Sequence, residues 1–284
     1  MKNRRFFLLG LILLVGMAVS APPAISHQRG YLLLVGGKEK PAAALQKFIE
    51  LCENGPILVI PSASAVPFES GPETAELFRE LGATNVDWFF IAGPDTANAD
   101  SVVQKVAAAC GIFFTGGVQS RLMHRLGGTK TANAILDLYF NKGGVIGGTS
   151  AGAAVQSEIM LTGDGDFSLL EKDNIVTQAG FGFVKNCIID QHFVARQRNN
   201  RLLSVVIETG KPGIGIDEST AIIYYPDDTF DVYGSGSVVV YDPRPARIMD
   251  STASKKLSVE NLLLSVLREQ QSFDLKEGKI FKRK

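Results

Sequence analysis

In the first half of the chain the apolar positions fall into short unbroken runs, separated by stretches that are apolar on one side only. Residues 31–35 read as a strand that ends in Gly36-Gly37. Residues 41–54 place Leu45, Phe48, Ile49 and Cys52 at helical spacing and stop at Gly55. Further strands are expected at 57–60, 86–91 and 112–114, and helices at 72–81 (closed by Gly82), 100–109 and 118–126. Strands that are apolar throughout are buried on both faces. Their alternation with helices therefore predicts an α/β fold whose central sheet is mostly parallel and covered on both sides. In such sheets, binding sites collect beyond the carboxyl ends of the strands. Gly36-Gly37, the serines of 62–64 and Thr115-Gly116-Gly117 all fall at that edge.

A fourth feature falls there too. Residues 144–146 form a short apolar run, two glycines follow, and 151–156 begin a helix, so Ser150 stands on the corner. Gly148-Thr149-Ser150-Ala151-Gly152 fits the G-x-S-x-G nucleophile elbow, in which small neighbours let a tight turn push the hydroxyl into a cleft. The helix that follows aims its free N–H groups at whatever the serine would attack. The same residues also suit an ordinary strand-to-helix turn, and the pentapeptide alone leaves both readings open.

A hydroxyl is a poor nucleophile until a base takes its proton. Of the three histidines, His27 lies beside the amino-terminal apolar segment and His124 falls on the helix at 118–126, where a structural role is expected. His192 remains. It follows 187–190, read as the end of a strand. Residues 214–216 read as another strand, closed by Asp217-Glu218-Ser219-Thr220 before 221–225 begin a return hairpin. A carboxylate there could orient the imidazole, its other reading being a turn cap. The order Ser150, His192, Glu218 differs from the Ser, Asp/Glu, His order of the α/β-hydrolases, which counts against a lipase or esterase.

The amino terminus adds a location to this picture. Lys2, Arg4 and Arg5 precede an uncharged apolar run over 6–19, and small residues follow at Ser20, Ala21 and Ala24. This is the layout of a signal peptide over 1–26, with cleavage expected after Ser26, or after Ala21 were it not for Pro22. The run of about 14 residues is short of the roughly 20 that span a bilayer, so stable membrane insertion is not expected. A secreted or periplasmic protein is the expectation, exported by the general route rather than by a twin-arginine signal. Twenty-nine basic residues balance 29 acidic ones, and loss of the leader removes three positive charges and no negative ones. A slightly acidic chain gives no sign of a nucleic-acid partner, which would call for clustered basic residues and a basic pI, so none is expected. The hydrophobic content of 45% shows no linker break, so 27–284 reads as one domain. Cys52, Cys110 and Cys187 form no disulfide framework; three buried thiols are expected, with one bridge in an oxidising compartment as the alternative. No metal or other cofactor is called for, because no His or Cys pair stands at ligand spacing. Residues 162–173, with Asp164 and Asp166, read as a flexible loop, 259–268 as an amphipathic helix and 279–284 as a mobile basic tail.

Four blocks taken together resemble the cyanophycinase family. They are Gly147 through Ala153 (Gly-Gly-Thr-Ser-Ala-Gly-Ala), Asp190-Gln191-His192-Phe193 with Arg196, Arg198 and Arg201, Phe114-Thr115-Gly116-Gly117 with Gln119, and Gly213-Ile214-Gly215-Ile216-Asp217-Glu218. The resemblance runs over about 30–241, and the Asp-Gln-His-Phe block with its spaced arginines is its most specific part. These are serine peptidases related to the aspartyl dipeptidase peptidase E. The resemblance implies a flavodoxin-like three-layer α/β sandwich, akin to class I glutamine amidotransferases, and a homodimer. The implied substrate is cyanophycin, a poly-aspartate with arginine on each β-carboxyl, cut from one end to β-aspartyl-arginine dipeptides. Position by position, the resemblance implies Ser150 as nucleophile, His192 as general base and Glu218 as the third member. It implies N–H groups of Gly117 and Ala151 as the oxyanion hole, and Gln119, Asp190, Gln191, Arg196, Arg198 and Arg201 as lining for the substrate cleft. Arginine grips carboxylates through paired charge-assisted hydrogen bonds, which suits a polymer end. From spacing alone, Arg198 and Arg201 would read as a solvated helix face. Position 118 is Val where the family usually has Asp or Asn. Two alternatives are an aspartyl dipeptidase or isopeptidase acting on another acidic β-aspartyl peptide, and a non-catalytic binding protein on the same fold.

Overall fold

Strands with no polar position have nowhere to lie except between two apolar layers, and the chain builds those layers from its one-faced helices. The computed structural model describes residues 29–249 and 254–283; the leader expected over 1–26 lies outside them. In chain order the elements begin β1 (Tyr31–Val35), α1 (Ala42–Leu51), β2 (Ile57–Ile60), α2 (Pro67–Glu80), β3 (Val86–Trp88), α3 (Pro94–Asn98), α4 (Asp100–Ala107), β4 (Gly111–Phe114), α5 (Gln119–Leu126), α6 (Lys130–Phe140), β5 (Val145–Thr149) and α7 (Ala151–Ala154). They continue with β6 (Ile159–Leu161), β7 (Thr177–Ala179), β8 (Ile188–Gln191), α8 (Asn199–Thr209), β9 (Gly213–Ile216), β10 (Thr220–Tyr224), β11 (Thr229–Gly234) and β12 (Val238–Asp242). The short strands β13 (Arg247–Ile248), β14 (Val259–Glu260), β15 (Leu263–Leu267), β16 (Ser272–Asp274) and β17 (Lys279–Phe281) follow.

The central sheet has nine strands in the order β17-β16-β11-β10-β1-β5-β4-β2-β3. From β3 to β1 every pairing is parallel, and from β1 outward to β17 every pairing is antiparallel. Alternate residues of each strand serve opposite faces. In β1, Leu33 and Val35 pack with α1 and α2, through Phe48, Ile49 and Phe78, while Leu32 and Leu34 join the core beneath α5 and α6. This is the expected three-layer α/β arrangement.

One feature was not legible in the sequence. A second sheet, in the order β15-β12-β9-β8, packs on the α5 and α6 face and shares its core through Ile189, Ile214, Ile216, Val238 and Val240. Its β8 and β9 are parallel and are joined by α8, which covers their outer side with Leu202, Val205 and Val206. The carboxyl ends of β8 and β9 thus lie level, Gln191 opposite Ile216. After β9 the chain crosses to the central sheet, where β10 pairs with β1, Val35 opposite Ala221. The hairpin expected to begin over 221–225 is present as β10 and β11, but it lies in the central sheet and not beside β9.

Other expectations need correction. Residues 259–268 carry apolar residues at 259, 262, 263, 264, 266 and 267, most of them along a helical stripe, yet they form β14 and β15. The edge of β12 offers a five-residue ladder to β15, and that pairing prevails over the local spacing. The basic tail is not a loose end: β17 closes the edge of the central sheet against β16, and the Arg283 guanidinium bonds Asp231 and stacks on Tyr225 at 4.0 Å. The helix expected at 72–81 starts five residues earlier, because Gly71-Pro72 sits inside α2 instead of opening it. Helices α3 and α6 were not anticipated, and β3 ends at Trp88 rather than Ile91. The loop over 162–173 is hydrogen-bonded: Asp166 accepts from the backbone N–H and hydroxyl of Ser168, and Asn174 donates to its carbonyl.

Phe113 of β4 is fully buried, with its ring centroid 5.2 Å from Phe78 and 6.2 Å from Phe48. Phe113→Ala is expected to lower stability by about 3–5 kcal/mol in urea unfolding, from lost transfer energy plus the cavity left behind. Phe68→Ala, at a side chain that is 69% exposed, should cost far less.

Candidate active site

Three strand ends of the central sheet meet above β5. Gly36-Gly37 follows β1, Gly116-Gly117 follows β4, and Ser150 follows β5, the neighbour of both. Ser150 has φ 53° and ψ −111°, a conformation rarely open to a residue with a Cβ, and it turns the hydroxyl away from the sheet. The turn is held by close packing. A Cβ on Gly148 would come within 2.2 Å of the Gly152 carbonyl oxygen, and one on Gly152 within 2.2 Å of that of Phe114. The glycines of the motif thus let α7 start directly over the sheet.

The second sheet supplies the partners. His192 follows β8, and its Nε2 lies 2.8 Å from Ser150 Oγ. Its Nδ1 lies 2.8 Å from Oε1 of Glu218, which follows β9. With the ring neutral, Nδ1–H donates to Glu218 and Nε2 accepts the Ser150 hydroxyl proton. Hydroxyl, imidazole and carboxylate stand in hydrogen-bonding file, although 42 and 26 residues separate them.

A part of the site that the sequence did not reveal is the end of β1. The Val35 carbonyl accepts from Ser150 N–H at 2.9 Å, the Gly36 carbonyl from His192 N–H at 2.8 Å, and the Gly37 carbonyl from Ser219 N–H at 2.9 Å. Three consecutive carbonyls therefore fix the backbone at, or next to, each member of the file. Gly37, at φ 125°, also lies flat against the imidazole: a Cβ there would stand 2.1 Å from His192 Cε1 and 2.5 Å from Nε2. The glycine pair after the first strand was the available signal, but a strand end alone does not say what will rest on it. Lys38 follows, with its ammonium 4.0 Å from Glu218 Oε2.

The His192 loop is pinned from the other side as well. Ala195 N–H donates to the Asp217 carboxylate at 2.9 Å, Phe193 N–H to the Ile216 carbonyl, and the buried Phe193 ring lies against Gly215. Burial pushes the imidazole below its ordinary range. The Glu218 hydrogen bond opposes that shift, while the charges of Arg196 and Arg198 reinforce it. The hydrogen bond from His192 holds the Glu218 carboxyl below the usual carboxylate range, helped by Lys38 and Arg196. In the resting state the imidazole is neutral and the carboxylate ionised.

The remaining residues named from the sequence separate into two groups. Asp190, Gln191, Arg198 and Arg201 form a buried network behind the ring. Arg201 has no exposed surface; its Nε donates to Asp190 at 3.0 Å and its Nη1 to the Thr162 carbonyl at 2.9 Å. Arg198, 8% exposed, donates to the Gln191 side-chain oxygen at 2.7 Å and reaches Asp190 at 3.4 Å. Burial and the neighbouring Arg201 push the Arg198 guanidinium down to about 10. Two arginines against one aspartate leave this network with surplus positive charge. Arg196 and Gln119 lie toward solvent, with Arg196 exposed and Gln119 half-buried and donating to the Leu161 carbonyl at 2.9 Å. Val118, at the position where the family usually carries Asp or Asn, is 45% exposed. The Gly116-Gly117 turn is held by Val118 N–H on the Ala63 carbonyl, and Gly116 faces the Ser150 side chain. Ala151 opens α7, so its N–H is free of the helix's own ladder.

A serine on a strained strand-to-helix corner, in line with an oriented imidazole, is the arrangement by which hydrolases make a hydroxyl nucleophilic. Residues 32–232 match the model of peptidase family S51. The chain is 34% identical over 223 residues to a cyanophycinase of Nostoc sp. (strain PCC 7120), covering 77% of this chain and 75% of that one. It is 30% identical over 264 residues to a cyanophycinase of Synechococcus elongatus, covering 90% and 82%. Among solved structures, a peptidase from an acI-B1 Actinobacterium shares the fold with a TM-score of 0.66 at 24% identity, over 87% of this chain and 98% of that one. A putative peptidase E protein from Listeria monocytogenes EGD-e does so with a TM-score of 0.54 at 19% identity, over 73% and 100%. The chain belongs to peptidase family S51, and it is a hydrolase of the serine peptidase type.

The environment of the ring gives a direct expectation. In an NMR titration His192 should protonate with a midpoint below the ordinary value of about 6.5, and Arg196→Gln should move that midpoint upward by removing a cation. A midpoint above 7 in the unaltered protein would contradict the burial described here.

Proposed function

We propose that this peptidase hydrolyses cyanophycin, releasing β-aspartyl-arginine dipeptides from a chain end by way of an acyl-enzyme. The observation that carries the reading is the file from Ser150 through His192 to Glu218, with 2.8 Å at each step, in a chain 30–34% identical to cyanophycinases over most of its length. In this reading His192 Nε2 takes the Ser150 proton as Oγ attacks a backbone aspartyl carbonyl. Glu218 stabilises the imidazolium that results. The developing oxyanion is met by N–H groups of Ala151 and Gly117. The imidazolium then gives its proton to the leaving amine. Water, activated by the same ring, attacks the ester and frees Ser150.

The charges around the ring suit such a substrate. Arg196 and Lys38 stand at the mouth, and the network behind the ring carries an unbalanced positive charge, so carboxylates of an aspartyl backbone are attracted rather than repelled. Gln119, half-buried with its NH2 on the Leu161 carbonyl, has its amide oxygen left for a guanidinium branch, whereas the Gln191 oxygen is taken by Arg198 and Arg201. The basic leader supports an exported enzyme that works outside the cytoplasm, and the resemblance to the family supports a homodimer.

Incubation with insoluble cyanophycin, followed by mass identification of the soluble products, tests the reading. Dipeptides of aspartate and arginine are expected, and Ser150→Ala should abolish their release. Glu218→Gln should lower kcat by roughly 10²–10⁴, since the ring would lose its orienting acceptor. Turnover of small Asp-X dipeptides with none of the polymer would assign the site to a dipeptidase instead. Continued polymer hydrolysis by Ser150→Ala would overturn the mechanism. Cell fractionation of the native host checks the export, and activity confined to the cytosol would refute it.

A further inference from the structure

Cys52 and Cys110 are 58 residues apart in the chain, and folding brings them together at the amino edge of the central sheet, opposite the active site. Cys52 caps the carboxyl end of α1, and Cys110 directly precedes β4. The Cys110 thiol donates to the Cys52 carbonyl at 3.2 Å. The glycines beside them locate both sulfurs. A Cβ on Gly111 would stand 2.5 Å from Cys52 Sγ, and one on Gly55 would stand 2.6 Å from Cys110 Sγ. The Cys110 thiol also lies 3.2 Å from the Pro56 carbonyl, so its sulfur sits against the turn that Cys52 opens, close enough for each thiol to shift the other's proton affinity. Both line a surface cleft of about 270 Å³. Cys110 is half-exposed there and Cys52 is 3% exposed. Hydrogen bonding between the two thiols lowers the proton affinity of Cys110 and, with burial, raises that of Cys52, so Cys110 is the thiol that ionises first. Cys187 is 1% exposed, and it lies in the other core, where burial raises its thiol far above the usual range.

We propose that Cys52 and Cys110 form a disulfide-modification site, closed by a small-molecule disulfide, and that the bridge stabilises the fold without altering the active site. The Cys110 thiolate attacks the oxidant's S–S bond and releases one small thiol, leaving a mixed disulfide on Cys110. Cys52 loses its proton to solvent, attacks the Cys110 sulfur and releases the second small thiol. Two protein thiols are oxidised and one disulfide is reduced to two thiols. The bridge ties the end of α1 to the start of β4 and so closes a long loop of the unfolded chain, which is where a disulfide gains most. Nothing in the reacting residues need move, because both anchors lie at the sheet edge remote from Ser150.

The full chain, incubated with oxidised glutathione and then alkylated, tests this by intact mass and by peptide mapping without reduction. The expected result is a mass about 2 Da lower, a linked pair of Cys52 and Cys110 peptides, and an alkylated Cys187. The bridged protein should melt roughly 5–10 °C higher than the reduced protein, with unchanged peptidase turnover. Cys187→Ser should form the same bridge, and Cys52→Ser should stop at one glutathione on Cys110. Persistence of both thiols, a bridge that recruits Cys187, or glutathione held on Cys110 beside a free Cys52 would each overturn the assignment. A bridged protein that melts no higher than the reduced one would overturn the stabilising role.

Discussion

The active region depends on three consecutive peptide carbonyls at the end of β1. Val35, Gly36 and Gly37 receive the N–H groups of Ser150, His192 and Ser219, and through them hold one segment from each of three strand ends. Two of those ends, after β8 and β9, belong to a different sheet from β5. Without a shared anchor, the distance from Ser150 to His192 would be set by how two sheets pack, and side-chain repacking could shift it by tenths of an ångström. Backbone hydrogen bonds to one rigid strand end remove that freedom. Gly37 adds a flat surface on which the imidazole rests, since a Cβ there would occupy the ring's own space. Ser150, His192 and Ser219 all have φ between 51° and 53°, so each of the three segments turns sharply where it meets this anchor. Positive φ at non-glycine residues is costly, and it persists where surrounding bonds over-determine the backbone.

Behind the ring, the same economy governs the charges. A carboxylate with no exposed surface is tolerable only when it is paired and fully hydrogen-bonded. Asp190 meets that condition through Arg201, Arg198 and the Gln191 N–H. The network ties β8 to the start of α8 and to the Thr162 carbonyl, and so fixes the segment that carries His192. It also places the Arg198 charge near the imidazole, where it adds to burial in holding the ring below its ordinary range. One cluster of residues therefore serves packing and proton affinity together.

The parallel half of the central sheet was legible in the sequence because β1, β2, β4 and β5 are almost wholly apolar and run into glycine or serine within two residues, while the edge strand β3, which carries Asp87, was legible only as part of a longer run. The Ser150 corner, His192 and Glu218 were legible for a related reason: each follows a short apolar run, and only one histidine stood at such a place. What sequence could not show is where distant strands pair. The second sheet, the crossing from β9 to β10 and the pairing of β15 with β12 are decided by open edges elsewhere in the chain, and a helical stripe at 259–267 gives no sign of them. The role of Gly36-Gly37 was hidden for the same cause, since its hydrogen-bonding partners His192, Ser219 and Thr220 all lie more than 150 residues away. Arg198 and Arg201 show the converse: their spacing suits a solvated helix face, and only the fold turns them inward onto Asp190. Cys52 and Cys110 likewise carry no local mark of their proximity.

A crystal structure of the protein after reaction with a serine-directed phosphonate tests the central claim most directly. The account predicts phosphorus bonded to Ser150 Oγ, a phosphoryl oxygen between the N–H groups of Ala151 and Gly117, and His192 still between Ser150 and Glu218 with its N–H on the Gly36 carbonyl. Phosphorus on another residue, or an unreacted Ser150 with the His192 ring swung away from it, would contradict the account.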